Sequence, residues 1–356
     1  ILVAALDGVA AGSLHDVGVR RMTPLGQGFG GRGAVSAFTD GLARVRRASW
    51  LVAGVWFSTI LLALPLTLAL RDQIAAHLGA SLMAESAARG VNYDWWNEFL
   101  AQTSGAGLTF VPAILGFASV MKNISSIADQ TPMPASIAIA VTLYMLLSVF
   151  LAGGIVDRLA RDRTVGAAAF FSACGVYFFR FLRLGVIAAV AYWALFGPYH
   201  HWLFDDVYGD LTRDMTVERT AFAIRIALYA AFAAPLFFVN MLFDYAKIRA
   251  VVEDRRSMVG ALAGAWRFIR RQPIAALAVY VLDAALFLLV IGVYYLVAPS
   301  ATAANLLAVM IGQGYIALRV AVRLQFVASQ VSLFQDRKST RLNSSHEWIS
   351  RMPSSA

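Results

Sequence analysis

Asp283 and Arg319 each stand inside a long apolar run, residues 274–297 and 303–328. An unpaired charge at such a depth costs at least about 2.5 kcal/mol even on a lenient insertion scale. Counted from the ends of their runs the two lie at a similar depth, and a short connection makes the runs neighbours. The spacing therefore predicts that Asp283 faces Arg319, or Arg323 one turn further along. An acid–base pair inside a membrane can act as a gate or proton-coupled pair in a transporter; it can equally serve as an ion pair that fixes a bundle. His200, His201, Asp205 and Asp206 form a second group, with the nitrogen and oxygen donors a divalent metal takes. Adjacent histidines at a helix end usually point apart, so a solvated loop is the simpler reading. No H-E-x-x-H, G-x-S-x-G or phosphate-loop motif occurs, and Cys174 is the single cysteine. No catalytic constellation, metal or cofactor is expected from these residues. Gly26, Gly28 and Gly31 match G-x-G-x-x-G by letter, but the dinucleotide fingerprint needs a preceding strand and none is expected here.

Residues 244–273 form the longest charged interruption between apolar runs, with six Arg and one Lys. Asp244, Lys247 and Glu253 read as a self-neutralising loop or as a docking surface for a membrane or cytoplasmic protein. Three R-x-x-R pairs precede apolar runs: Arg44 with Arg47, Arg180 with Arg183, and Arg267 with Arg270. Positions three apart share a helix face. Each pair can lie near anionic lipid headgroups before the chain turns into the membrane; simple basic anchoring with chance spacing is the plainer alternative. Nothing in the pattern points to nucleic acid.

These residues must be positioned by helices in lipid. The 356-residue chain is 59% hydrophobic and 14% charged, against about a quarter charged in soluble domains. Spans are expected at residues 50–70, 135–156, 184–196, 221–243, 274–297 and 303–328, in runs suited to a hydrocarbon core of about 30 Å. The fold class is all-α: a polytopic membrane helix bundle of about six spans, with interfacial amphipathic helices before spans one, three and five. Residues 1–48 read as a cytoplasmic leader, with 1–21 lying upstream of a start at Met22; 49–335 form the membrane domain, with outer loops 71–134 and 197–220. Residues 108–121 are too short and too broken by Pro112 for a span and suit an interfacial or re-entrant piece. Arg44, Arg158, Arg161, Arg163 and Arg249 fall on one set of loops, and Asp94, Glu98, Asp205, Asp206 and Asp210 on the other. The basic set marks the cytoplasmic side. Both termini then face the cytoplasm of a bacterial inner membrane.

The segments FFSACGVYFFRFLRL (170–184) and DYAKIRAVVEDRRSMVGALAGAWRFIRR (244–271) carry a resemblance. They are similar to a group of polytopic bacterial membrane proteins, themselves loosely like the membrane domain that accompanies some glycerophosphodiester phosphodiesterases. The shared pattern is met by Asp244, Ala246, Lys247, Val252 to Asp254, Trp266 and Arg267. The resemblance covers about a third of the chain and implies a helical membrane domain without a reaction. Residues 336–356 resemble an in-frame translation of a sequencing adapter and are set apart as non-native. Together these readings favour a non-catalytic membrane component that organises lipids or partners. A transporter or permease subunit using Asp283 and Arg319 is the competing class.

Overall fold

The computed structural model describes residues 31–79, 81–89, 92–110, 132, 134–298 and 306–350, excepting the side chains of 31, 32, 88, 89, 109 and 337–350. Among the described residues every regular element is helical. Helix α1 is Gly31–Arg47, α2 Ser49–Leu78, α3 Ala84–Arg89 and α4 Tyr93–Gln102. Helix α5 is Ala135–Arg161 and α6 Ala167–Ala194, which continues through two π turns to Thr212. Then come α7 Glu218–Val252, α8 Met258–Arg271, α9 Pro273–Val297 and α10 Leu306–Ser350. Among the described residues six segments are long and apolar enough to cross a membrane: α2, α5, α6 with its extension, α7, α9, and Leu306–Asp336 of α10. The protein is a polytopic all-α bundle.

The helix ends follow local chemistry. Asn92 caps α4 by accepting from Trp95 N at 3.0 Å, and Ser257 caps α8 by accepting from Gly260 N at 3.2 Å. Such caps satisfy amides that have no partner within the helix. Pro273 opens α9, where its missing N–H costs nothing. Asp162 and Asp254 end α5 and α7 with φ of 48° and 47°, the left-handed conformation that stops a helix. Pro198 lies in the first π turn after α6, the kind of site where the backbone ladder is locally relaxed.

The core lies at the basic end. Tyr245, Ile248, Ala261, Ala265, Ala276, Val279, Val331 and Leu333 are all buried there, drawn from α7, α8, α9 and α10. Towards the other end, large side chains such as Phe57, Leu61, Phe222, Leu288 and Met310 stay exposed. Water would penalise that surface; lipid tails do not. Helices α5 and α6 pack closely at Gly153 and Gly154, where an added Cβ would meet Tyr177 Cβ at 2.7 Å and Cys174 Sγ at 2.5 Å. Small residues permit this approach, and dispersion then holds the pair without a hydrophobic drive.

Three expectations change. Residues 31–47 are no leader: α1 docks along α10 and α9, burying Ala34, Ala37, Gly41 and Val45. Residues 167–182 are no separate interfacial helix before span three. They form the first half of a continuous α6, because no Gly, Pro or polar break interrupts the buried face of Phe170, Cys174, Tyr177, Phe181 and Leu184. Helix α10 does not stop near Ala328 but continues without a break beyond it. The amphipathic helix expected before span five is present as α8, its apolar face turned to α7. Residues 1–30, with Gly26 and Gly28 of the glycine pattern, lie outside the described residues, as do 111–121 of the expected re-entrant piece and 351–356.

Candidate intramembrane binding cavity

A cavity of about 590 Å³ opens among α2, α5, α7, α9 and α10. Its wall is mainly apolar, with Val55, Leu147, Ile155, Phe237, Val320 and Val327 among the lining residues. Two polar groups interrupt it. The first is a triad: Lys247 Nζ lies 2.6 Å from Asp244 Oδ1, and the Tyr280 hydroxyl donates to Asp244 Oδ2 at 2.5 Å. Asp244 and Lys247 sit three apart on α7 and so share a face, while α9 brings Tyr280 across. The carboxylate and ammonium cancel, leaving the triad without net charge. The second group is Arg323 of α10, whose Nη1 donates to the Tyr144 hydroxyl of α5 at 2.6 Å. Among the described residues Arg323 meets this neutral phenol and no carboxylate. Asn240, which accepts from Tyr192, along with Ser58, Thr59, Ser148 and Gln330, completes the polar lining. The site can bind a largely apolar molecule and satisfy a polar or anionic group upon it.

The expected pairing of Asp283 with Arg319 or Arg323 is not made. Asp283 is fully buried and accepts from Ser329 Oγ at 2.5 Å, while Arg319 lies over the Tyr315 ring at 5.6 Å. The physical reason is depth. Counting the last span from Ala328 set Asp283 level with Arg319; α10 continues as a helix past that point, and the turn packed on Asp283 carries Ser329, ten residues or about 15 Å beyond Arg319. Ser329 and Gln325 then stand opposite the acid. Gln325 Nε2 donates in turn to Phe38 O of α1 at 2.9 Å. Asp283 is therefore closed off behind the cavity wall, which ends at Ala284 and Gln330.

The remaining singled-out residues divide by partner. Arg180 donates to Asp254 Oδ1 at 2.6 Å, and Glu253 Oε2 accepts from Arg249 at 2.9 Å and Arg255 at 3.0 Å. Arg180, through its hydrogen bond and then its charge, holds the Asp254 carboxyl below the usual carboxylate range. Arg44 ties α1 to the end of α5 by donating to Leu159 O at 2.8 Å, and Arg47 pairs with Asp162 at 2.8 Å. Arg183, Arg267 and Arg270 are exposed, Arg270 lying over the Trp266 ring at 5.7 Å. His201 Nδ1 and Asp205 Oδ2 are 2.5 Å apart, but the His200 ring turns to Phe204 and Phe232. Among the described residues no three His, Cys, Asp or Glu side chains converge on a metal position.

Sequence reasoning singled out Asp244, Lys247 and Arg323 but assigned the first two to a surface loop. It missed Tyr144, Tyr280, Asn240 and the Ser58–Thr59 step. Asn240 and Arg323 carried a signal, as polar groups inside apolar runs. Compared with family models, curated proteins and solved structures, the chain matches none.

Proposed function

We propose that this protein is a non-catalytic component of the bacterial inner membrane that organises lipid, holding a largely apolar molecule inside its bundle. The cavity carries this reading. It is bounded by five helices, mostly apolar, and its volume of about 590 Å³ falls within the roughly 300–1,000 Å³ of small-molecule pockets. The basic end faces the cytoplasm by the arginine rule. There Arg183, Arg267 and Arg270, all exposed, supply contacts for anionic headgroups, at about 1 kcal/mol each near such a surface. The resemblance to a phosphodiesterase-associated membrane domain agrees with a helical body and brings no reaction with it.

The test is retention. The protein is extracted with its surrounding lipid, and co-purified small molecules are compared with those of Ser148→Trp, which fills the cavity. A species retained by the first and lost from the second is expected; identical profiles sink the reading. One observation favours transport as a second reading. Arg323 stands inside the apolar segment of α10 and lines the cavity, and substrates of secondary transporters bind near the midplane. Support for transport through Asp283 is weaker, because that carboxyl is closed off from the cavity. Movement of the retained species across vesicle membranes decides between holding and carrying.

A further inference from the structure

We propose that the cavity takes an apolar monoanion, a carboxylate or similar acid on a hydrophobic body, and that Arg323 receives its charge. This rests on the cavity-binding reading above and adds the ligand's chemistry. A guanidinium presents a fixed fork of donors. The one it spends on Tyr144 goes to a phenol, which leaves its charge uncompensated in an apolar wall. Arg323 is exposed on the protein's own surface, where its surroundings are the cavity and lipid; a cation there without a counter-charge is costly, so the site gains when an anion enters. The other cation in the cavity cannot play this part, because Lys247 is already neutralised by Asp244. Asp244 in turn repels an anion little, since its two oxygens are held by Lys247 and the Tyr280 hydroxyl. The cavity lining therefore carries one unmatched positive charge. Val55, Leu147, Phe237 and Val327 line the space for an apolar body. The volume suits one acyl chain with its head.

The ligand can come from the bilayer, as a long-chain fatty acid, or from water, as a short hydrophobic acid. The experiment uses the full chain in discs of zwitterionic lipid, with labelled oleate as the probe. Oleyl alcohol, octanoate and acetate serve as competitors. Oleate is expected to bind, with oleyl alcohol weaker by at least about tenfold for want of a charge-assisted contact. Acetate, lacking an apolar body, should not compete. Octanoate competing as well as unlabelled oleate indicates the aqueous source; octanoate competing much more weakly indicates the bilayer. Arg323→Gln should lose the same tenfold and Arg323→Lys should recover part of it, each variant being checked for a folded state by thermal melting. Oleyl alcohol binding as tightly as oleate overturns the assignment, and so does a folded Arg323→Gln that binds oleate as the parent does. Those results leave cavity binding intact. The earlier reading fails separately, if Ser148→Trp retains the same molecules as the parent.

Discussion

Replacing Gly41 by Ala decides whether α1 is part of the bundle. A Cβ built there would sit 2.7 Å from Ser329 N, 2.9 Å from Ser329 Cα and 3.1 Å from Gln325 Nε2. The first two are backbone atoms of a helix and cannot rotate aside, so α1 must back away by several tenths of an ångström or more. The same displacement stretches the Gln325 to Phe38 bond of 2.9 Å and the Arg44 bonds to Gln335 and Leu159, at 2.9 and 2.8 Å. Overpacking of this kind costs about 1–3 kcal/mol. In an exposed helix the same change would stabilise by about 1 kcal/mol, because Gly is the poorer helix former. The two arrangements therefore predict opposite signs. Thermal melting in lipid discs reads the sign. A thiol at position 37 reads the movement: Ala37 is 3% exposed and Cys174 is fully buried, so Ala37→Cys should label slowly in the parent and faster with Gly41→Ala. A raised melting temperature, or unchanged labelling, refutes the docking of α1 on α10.

Two further expectations follow from single contacts. Asp283 meets the Ser329 hydroxyl, and Asn keeps an acceptor of the same shape, so Asp283→Asn should change stability by less than about 1 kcal/mol; a loss of about 3–5 kcal/mol in melting or denaturant titration would instead signal a broken buried ion pair. Asp254 has its folded-state titration lowered by Arg180, so this contact's stabilisation is present above the ordinary Asp value of about 3.9 and disappears as pH falls through the lower folded value. The melting difference between the parent and Asp254→Asn, which tolerates the left-handed conformation, should hold from pH 7 to about pH 4 and fade in stronger acid; its disappearance already by pH 6 would remove the Arg180 contact as the cause.

The six spans were legible because lipid leaves a plain trace, runs of apolar residues broken by charge. What escaped was polar or small surface buried by protein instead of lipid. Ser329, Gln330, Ser332 and Gln335 look like a chain leaving the membrane, yet the first three are buried, and Ser329 and Gln335 meet α1, α5 or α9. Ending the span before them put Asp283 opposite the wrong turn. Ala34, Ala37 and Gly41 carry almost no hydrophobic signal, yet they make the tightest face of α1, since close approach depends on small side chains. The cavity was illegible for another reason. Five helices build it, and no spacing along one of them shows that Tyr144 and Arg323, or Tyr280 and Asp244, will meet.

The R-x-x-R spacing takes on a physical meaning different from a uniform lipid belt. A helix C-terminus carries partial negative charge on carbonyls without helical partners. Helices α5 and α7 both end on a left-handed Asp, which adds a full negative charge at that point. In each case one arginine of a pair answers it, Arg47 at Asp162 and Arg180 at Asp254. Those two pairs thus spend an arginine on another helix, fastening α1 to α5 and α6 to α7. Arg267 and Arg270 of α8 meet no acid among the described residues and stay exposed beside Trp266. The same motif therefore divides its work: one arginine of each of the first two copies closes the basic end of the bundle, and the third copy meets no acid among the described residues.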